Sequence, residues 1–210
     1  MINLKNLKLR GNDKKTENLL IKYVSAIKIL ETEIEVLKDE FEYNNKSNPF
    51  EHIKTRVKSM DSILGKLKKK NLKPTFENII NNINDIAGVR IVCSFIDDVY
   101  SIVKILEKSK RIEIIEHKDY IKNPKQSGYS SYHLIVLVPV HLSNKTIELK
   151  AEIQIRTLAM DFWASLEHKI KYKYQKELPQ NIKNELITSS KTINSIDKLM
   201  SNFIKEIKKI

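Results

Sequence analysis

Apolar and polar side chains alternate along residues 147–156, a pattern that predicts a strand with one buried face and one charged face. The apolar positions are Ile147, Leu149, Ala151, Ile153 and Ile155. The intervening positions are Glu148, Lys150, Glu152, Gln154 and Arg156. A solvent-facing edge strand would have the same pattern. However, residues 85–90 and 127–133 each lead into another apolar strand and carry polar side chains of the kind that bind ligands.

The remaining pattern predicts an α+β fold, in which a mixed β-sheet of four to five strands is flanked by helices. Predicted strands cover about residues 87–95, 111–117, 132–139 and 146–155, and residues 56–58 are predicted to be extended. Predicted helices cover about residues 15–43, 60–71, 97–108 and 157–174, with a last helix from Pro179 to the C-terminus. Predicted loops cover residues 81–84 and 124–128. The expected division is an N-terminal helical region at 1–50, a core at 51–175 and a C-terminal helix at 176–210.

Both long terminal helices carry an apolar stripe. The N-terminal stripe consists of Leu20, Tyr23, Ile27, Leu30, Ile34, Leu37 and Phe41, which follow heptad spacing. The C-terminal stripe consists of Ile182, Leu186, Ile193, Ile196, Met200, Phe203 and Ile207. Each stripe must be covered by the other helix, by the core or by another subunit, and we expect a homo-oligomer.

Composition narrows the class of protein. The net charge is +12, from 38 basic and 26 acidic residues, which favours polyanionic partners such as nucleotides, RNA or acidic surfaces. The single cysteine, Cys93, excludes an internal disulfide and a cysteine-based zinc site, and its apolar strand predicts that it is buried. No apolar run approaches the roughly 18–20 residues that span a bilayer, and no signal-peptide pattern is present, so we expect a cytoplasmic protein without a membrane partner.

Two carboxylates are candidates for metal binding. Asp85 precedes the first predicted strand and Glu152 lies within the last, so the two would meet if these strands were neighbours. Mg²⁺ prefers one or two carboxylates together with phosphate oxygens and water. The structural alternatives are turn capping by Asp85 and a cross-strand ion pair for Glu152.

Basic and aromatic residues complete a candidate nucleotide site. Cations and a hydroxyl for a triphosphate are supplied by Arg56, Lys58, Ser62, Lys66 and Arg90, although each alone is also typical of ordinary surface charge. Tyr129 follows Gly128 in a loop, where an aromatic ring can stack on a base or pack on the sheet. His133 begins an apolar strand and is more typical of a hydrogen-bonded structural residue. The chain has neither a GxxxxGK[ST] loop nor a GxGxxG motif.

These segments together resemble the small alarmone synthetases, the single-domain relatives of the RelA/SpoT (p)ppGpp synthetases. The resemblance runs from about residue 51 to 174 and rests on RVKS at 56–59, DIAGVR at 85–90, SGY at 127–129, SYH at 131–133 and EIQIRT at 152–157. FWA at 162–164 and EH at 167–168 add to it. The joint order and spacing of these motifs make the resemblance specific, and it implies a nucleotidyltransferase-like synthetase fold.

The resemblance implies a reaction and a role for each matching residue. ATP donates its β,γ-pyrophosphate to the ribose 3′-hydroxyl of GDP or GTP, and the products are AMP and (p)ppGpp. Arg56 and Arg90 are expected to enclose the adenine, and Lys58, Ser62 and Lys66 to hold the ATP phosphates. Asp85 and Glu152 are expected to place Mg²⁺, with Glu152 also activating the 3′-hydroxyl, while Tyr129 stacks on guanine. The acceptor side is expected to be lined by Lys125, His133, Gln154, Asp161 and Glu167.

Two positions depart from the family pattern. Ser130 stands where the family usually has Arg, and Asp161 where it usually has Asn. An ionised carboxylate cannot donate a hydrogen bond as an amide can, so both changes bear on the choice among GMP, GDP and GTP.

The resemblance also has implications for regulation and assembly. No His-Asp dipeptide of the family's hydrolase domain occurs, so we expect synthesis without hydrolysis. The family implies a homotetramer formed through the terminal helices and possible regulation by a guanine alarmone or single-stranded RNA. The alternatives are an RNA-binding regulator on the same scaffold and a toxin-type relative that pyrophosphorylates tRNA.

Overall fold

The computed structural model describes residues 14–45, 48–174 and 177–207. Its helices are α1 (Lys14–Asn45), α2 (Met60–Lys69), α3 (Phe76–Asn82), α4 (Ile96–Glu107), α5 (Leu158–Tyr174) and α6 (Gln180–Ile207). Its strands are β1 (Phe50–Val57), β2 (Ala87–Cys93), β3 (Glu113–Asp119), β4 (Tyr132–His141) and β5 (Thr146–Thr157). The predicted boundary between core and C-terminal helix, at 175–176, lies outside the described residues, and the division into three regions stays a prediction.

In the described part of the chain, five strands form one sheet in the order β1-β2-β5-β4-β3. β2 and β5 run parallel, whereas β1–β2, β4–β5 and β3–β4 are antiparallel. The predicted α+β fold with a mixed sheet and long terminal helices is therefore confirmed. The parallel pair at the centre brings residues 87–93 beside residues 151–157.

The buried face of the sheet follows the predicted alternation on β5. Leu149, Ala151, Ile153 and Ile155 are all at most 3% exposed. α1 packs on this face against β1, β2, β4 and β5. Its heptad stripe, from Leu20 to Ile34, is fully buried there, so the sheet of the same chain covers it. Cys93 is also fully buried, as predicted, and burial raises the pKa of its thiol.

Two elements differ from the sequence-based prediction. Residues 81–82 were predicted as loop but close α3, because Thr75 Oγ1 accepts a hydrogen bond from Asn78 N at 3.2 Å and Ile79 anchors the helix in the core. Three asparagines in seven residues conceal this helix, since asparagine has low helix propensity. β1 extends from Phe50 rather than covering only the 56–58 stretch. It is an edge strand with an irregular register between Phe50 and His52, which obscures a period of two.

The C-terminal helix α6 turns part of its apolar stripe away from the core, and the sequence alone leaves open what covers this stripe. Ser190, Asp197 and Ser201 are at most 5% exposed and face the core. The outward side carries a group of apolar side chains that are 46–63% exposed: Ile196, Leu199, Met200, Phe203 and Ile207. Short polar side chains anchor the helix to the core because they meet backbone and hydroxyl groups there, and the apolar residues remain on the surface. Among the described helices, none is long and apolar enough to cross a membrane.

Candidate active site

The polar face of the sheet carries the predicted site residues in two neighbouring rows. The first row runs through Arg56, Gly88, Glu152 and Ile135, on β1, β2, β5 and β4. The second row runs through Lys54, Arg90, Gln154, His133 and Lys118, from β1 to β3. Strand pairing therefore places residues as far apart in sequence as Gly88 and Glu152, or Arg90 and Gln154, opposite each other on adjacent strands, within reach of their neighbours.

Two connected cavities lie over these rows. The smaller, of about 260 Å³, is on the β1–β2 side, and the larger, of about 780 Å³, extends towards β3, β4 and α5. Both are lined by Arg56, Asp85, Arg90, Glu152 and Gln154. The larger volume is in the range of small-ligand pockets. A cleft with shared walls and two ends can hold two ligands that meet at Glu152.

Asp85 lies between two lysines at the edge of the cleft. Its carboxylate contacts Lys58 Nζ at 2.6 Å and Lys66 Nζ at 2.8 Å. Burial acts to raise the pKa of Asp85, but hydrogen bonds and charge attraction from both lysines outweigh it, so the pKa is below its usual value. Asp85 is therefore ionised at neutral pH, and its charge is balanced by the lysines that the sequence assigns to phosphate binding.

Glu152 is held from both sides at the centre of the cleft. Its Oε1 is 3.1 Å from His133 Nδ1, and its Oε2 accepts from Gln154 Nε2 at 2.7 Å. Burial acts to raise the pKa of Glu152, yet His133 and Gln154 lower it by more, so the pKa is below its usual value despite the nearby Asp85 charge. The carboxylate is thus ionised and fixed in orientation, as a general base requires.

Tyr129 joins this network through its hydroxyl. The hydroxyl is 2.8 Å from His133 Nε2 and accepts from Arg156 Nη2 at 2.7 Å and from Ser131 Oγ at 2.9 Å. With two donors directed at it, the hydroxyl keeps its own proton for His133 Nε2, which leaves the Nδ1–H of His133 to donate to Glu152. A hydrogen-bonded path therefore runs from the aromatic ring to the central carboxylate.

Arg156 connects the two ends of the cleft. Its guanidinium donates to Gln154 Oε1 at 2.9 Å, and Asp161 Oδ1 accepts from both Arg156 Nη1 at 3.1 Å and Arg90 Nη1 at 3.2 Å. Arg156 is 4% exposed, and burying it requires this degree of pairing. Asp161, one of the two departures from the family pattern, therefore neutralises two arginines from behind the cleft wall.

The loop at residues 124–128 brings a further cation, Lys125, over the aromatic residues. Lys125 Nζ lies 4.5 Å from the ring centroid of Tyr120 and 5.0 Å from that of Tyr129. Burial lowers the pKa of Lys125, Glu152 opposes this, and the neighbouring Lys118 adds to it. The positive charges at this end repel one another, so binding an anion such as a phosphate relieves the repulsion.

Most of the predicted site residues line the larger cavity. They are Arg56, Lys58, Lys66, Asp85, Arg90, Lys125, Tyr129, His133, Glu152, Gln154 and Glu167. Ser62 lies outside this lining, exposed on α2 one turn before Lys66, where its hydroxyl accepts from Ser59 Oγ at 2.9 Å. Ser130, the other departure from the family pattern, is 6% exposed and also lies outside the lining.

The structure adds residues that the sequence analysis missed. The larger cavity is also lined by Lys118 near the end of β3, by Tyr120 just after that strand and by His168 from α5. Tyr120 packs edge-on against the rings of Tyr129 and His133, with centroids 6.3 and 5.2 Å apart. The local pattern of β3 has no signal for this, because Lys118 reaches the site only through its pairing with His133.

The donor set fits a divalent cation that arrives with phosphate. Asp85 and Glu152 line the same cavity and sense each other's charge. Within residues 14–45, 48–174 and 177–207, no three His, Cys, Asp or Glu side chains form a ready-made metal site. Two carboxylates without further protein ligands suit Mg²⁺, which usually retains water and phosphate oxygens.

Known proteins resemble this chain in sequence over most of its length. Residues 55–177 match the family model described as the region found in RelA/SpoT proteins. The chain is 44% identical over 191 residues to the GTP pyrophosphokinase YwaC of Bacillus subtilis (strain 168), with 91% of each chain covered.

Two solved structures from Bacillus subtilis have the same fold. Small alarmone synthetase 1 bound to its product pppGpp matches with a TM-score of 0.86 and 36% identity, over 93% of this chain and 99% of that one. Small alarmone synthetase 2 matches with a TM-score of 0.82 and 44% identity, over 90% and 99%. The chain belongs to the RelA/SpoT family, and the relatives it resembles over nearly their whole length are small alarmone synthetases.

Proposed function

We propose that this chain is a GTP pyrophosphokinase that transfers the β,γ-pyrophosphate of ATP to the 3′-hydroxyl of GDP or GTP, giving AMP and (p)ppGpp. The observation that carries the proposal is the placement of Glu152 between a cationic end and an aromatic end of one cleft. The similar synthetase that holds pppGpp supports the same assignment. The proposal covers synthesis alone, since no His-Asp dipeptide occurs in the 210 residues.

At the donor end, Arg56 and Arg90 enclose the adenine, and Lys58 and Lys66 hold the phosphates, with Ser62 one helical turn before Lys66. Both lysines contact the Asp85 carboxylate. Binding of ATP then exchanges one carboxylate partner for the more highly charged phosphates, so the lysines are already positioned when the nucleotide arrives. This preorganisation is the main contribution a protein can make to phosphoryl-type transfer.

Asp85 and Glu152 would hold Mg²⁺ together with the ATP phosphates. The metal would neutralise charge that develops on the transferred group and its leaving group. The role of this chain's own residues is to keep both carboxylates ionised, which the lysines do for Asp85 and which His133 and Gln154 do for Glu152.

At the acceptor end, Tyr129 stacks on guanine while Lys125 and His133 face the acceptor phosphates, with Gln154 and Glu167 completing the wall. Asp161 acts there through Arg156. Glu152 accepts the proton of the 3′-hydroxyl, so that the oxygen can attack the β-phosphorus of ATP in line with the departing AMP. The hydrogen bonds from His133 and Gln154 keep the carboxylate directed at that proton.

Assembly into a homotetramer is part of the proposal. It is supported by the exposed apolar side of α6, since five large apolar side chains on one helix face are unusual on a monomer. The buried stripe of α1 is already covered by its own sheet. Regulation by a guanine alarmone or by single-stranded RNA is a further proposal that the +12 charge supports.

The test is nucleotide separation after incubation of the protein with ATP, Mg²⁺ and GMP, GDP or GTP in turn. We expect AMP to appear together with a guanosine nucleotide that carries two more phosphates. The fastest acceptor identifies the product that Ser130 and Asp161 favour. A chain that leaves all three acceptors unchanged would exclude the proposed function.

A further inference from the structure

The turn before Tyr129 is exposed except at one residue. Residues 122–127 are exposed, whereas Gly128 is buried. The turn is closed by Gly128 N donating to Lys125 O at 2.8 Å and by Lys125 N donating to Tyr129 O at 3.0 Å. Gly128 has φ +88°, a conformation that favours glycine. The orientation of Tyr129 therefore depends on how this one buried residue is held.

Gly128 is held by α6. Ser190 is 3% exposed, and its Oγ donates to Gly128 O. A Cβ added at Gly128 would lie 2.7 Å from Ser190 Cβ and 3.5 Å from Ile187 Cα, so the turn rests directly on the helix surface. Gly128 therefore both packs against α6 and accepts a hydrogen bond from it. This contact joins a helix outside the proposed site to the loop that carries Tyr129.

We infer that Ser190 is a positioning residue for Tyr129, and that α6 thereby sets the affinity of the acceptor end for the guanine nucleotide. The inference rests on the proposed function. The carbonyl of Gly128 and the N–H of Tyr129 share one peptide plane, so the hydrogen bond to Ser190 fixes the backbone from which the ring projects. The hydroxyl of Tyr129 is held separately by Arg156, Ser131 and His133.

Fixing both ends of Tyr129 reduces the freedom that must be lost when a base stacks on it. Ordering a loop residue on binding costs conformational entropy and weakens affinity. A loop that is already ordered before binding does not incur this cost. The ATP end of the cleft has no such dependence on α6, because Arg56 and Arg90 lie on paired strands and Lys66 lies on α2. Loss of the Ser190 hydroxyl is therefore expected to weaken the acceptor and to leave ATP unaffected.

The chain offers a matched control on the same helix. Ser201 is 5% exposed and its Oγ accepts from Ile96 N at 3.2 Å, so it anchors α6 to the start of α4. Ser190→Ala and Ser201→Ala each remove one buried serine hydroxyl from a bond to backbone. The two variants differ in which backbone group loses its hydrogen bond. Ser190→Ala frees Gly128 O in the loop before Tyr129, whereas Ser201→Ala frees Ile96 N at the start of α4.

The experiment measures KM for GDP and for ATP, and the Kd for GDP by calorimetry without ATP, in the wild-type chain and both variants. We expect Ser190→Ala to raise the GDP KM and Kd by about two- to tenfold, the effect of one neutral hydrogen bond, with the ATP KM unchanged. Ser201→Ala should lower the melting temperature by about as much as Ser190→Ala does. It should leave the KM values for GDP and ATP and the Kd for GDP unchanged. Gly128→Ala should act like Ser190→Ala but more strongly, since its Cβ overlaps Ser190.

Two results would overturn the inference: equal effects of the two serine variants on GDP, or equal effects of Ser190→Ala on GDP and ATP. Either result would give Ser190 a purely structural role. Absence of turnover in the wild-type chain would instead overturn the proposed function, so the two failures are distinguishable.

Discussion

At the scale of single residues, Arg156 links side chains from both ends of the cleft through hydrogen bonds. This one guanidinium binds Tyr129, Gln154 and Asp161, and through Asp161 it is tied to Arg90. An asparagine at position 161 would provide one neutral acceptor oxygen for two arginines. The aspartate therefore strengthens the link between the proposed adenine side and the proposed guanine side of the cleft.

Replacing Glu152 tests the proposed base. Glu152→Gln keeps the size of the side chain but cannot accept a proton from the 3′-hydroxyl, so we expect kcat to fall by about 10²–10⁴-fold, the range for general base catalysis. The melting temperature should stay close to that of the wild type. Glu148→Gln is the matched control, an exposed position on the same face of β5. A Glu152→Gln variant that retains full turnover would contradict the assignment.

Replacing Tyr129 separates the ring from its hydroxyl. Tyr129→Ala removes the stacking surface, so the KM for the guanine nucleotide should rise by roughly 5- to 150-fold, corresponding to the ~1–3 kcal/mol of base–aromatic stacking. Tyr129→Phe keeps the ring and loses the bonds to Arg156 and His133, and its effect should be smaller. Steady-state kinetics against both substrates is the measurement. A rise of equal size in the KM for ATP would remove Tyr129 from the acceptor side.

Several of these residues could be predicted from the sequence because they occur in local patterns. The alternation of β5 placed Glu152 and Gln154 on one face, and this is their arrangement in the structure. Lys118 and Tyr120 could not be found in this way, because their place depends on the register between β3 and β4. That register is set by packing of the whole sheet rather than by the residues themselves.

At the scale of elements, α6 shows the limit of a hydrophobic pattern. Its apolar stripe predicted correctly that one side of the helix is apolar, but not which side faces the core. The core-facing side carries Ser190, Asp197 and Ser201 because each meets a specific group: Gly128 O, Thr157 Oγ1 and Ile96 N. Tertiary hydrogen bonds of this kind leave no period in the sequence. α3 was missed because it is a short, asparagine-rich helix, and only the end of β1 was predicted to be extended because β1 is an irregular edge strand.

Asp197 gives α6 a dependence on pH. Burial raises the pKa of its carboxyl, and the hydrogen bond from Thr157 Oγ1, at 2.6 Å, lowers it only in part. A carboxyl whose folded pKa is above its unfolded value stabilises the fold at low pH, and that contribution is lost as the pH rises through the folded pKa. Asp197→Asn removes this titration and keeps an oxygen for Thr157.

We therefore expect the melting temperature of Asp197→Asn to increase relative to that of the wild type as the pH rises from 4.5 to 7. Differential scanning calorimetry at both pH values measures the change. Asp39→Asn, the same substitution at an exposed position on α1, is the matched control for the loss of one carboxylate. If the difference in melting temperature between Asp197→Asn and wild type did not change with pH, burial would not raise the pKa of the Asp197 carboxyl in the folded chain.

At the scale of the whole molecule, the exposed side of α6 predicts self-association. Phe203→Glu places a charge among Ile196, Leu199, Met200 and Ile207, and burying that charge against another chain is unfavourable. We expect light scattering to show a multi-chain mass for the wild type and a lower mass for the variant. Lys191→Glu, an exposed charge change elsewhere on α6, should leave the mass unchanged. Equal masses for all three proteins would exclude this face as an interface.

The central parallel pair β2–β5 has a consequence for how such enzymes can diversify. Residues of the proposed donor end lie between positions 54 and 90, those of the acceptor loop and β3–β4 lie between 118 and 133, and the strand shared by both follows at 152–156. The proposed donor end is therefore encoded before the acceptor side, which begins at 118 and continues through Glu167 to Ser190. Recombination between relatives in the segment between 90 and 118 can change which alarmone is made while the residues at 54–90 are inherited intact.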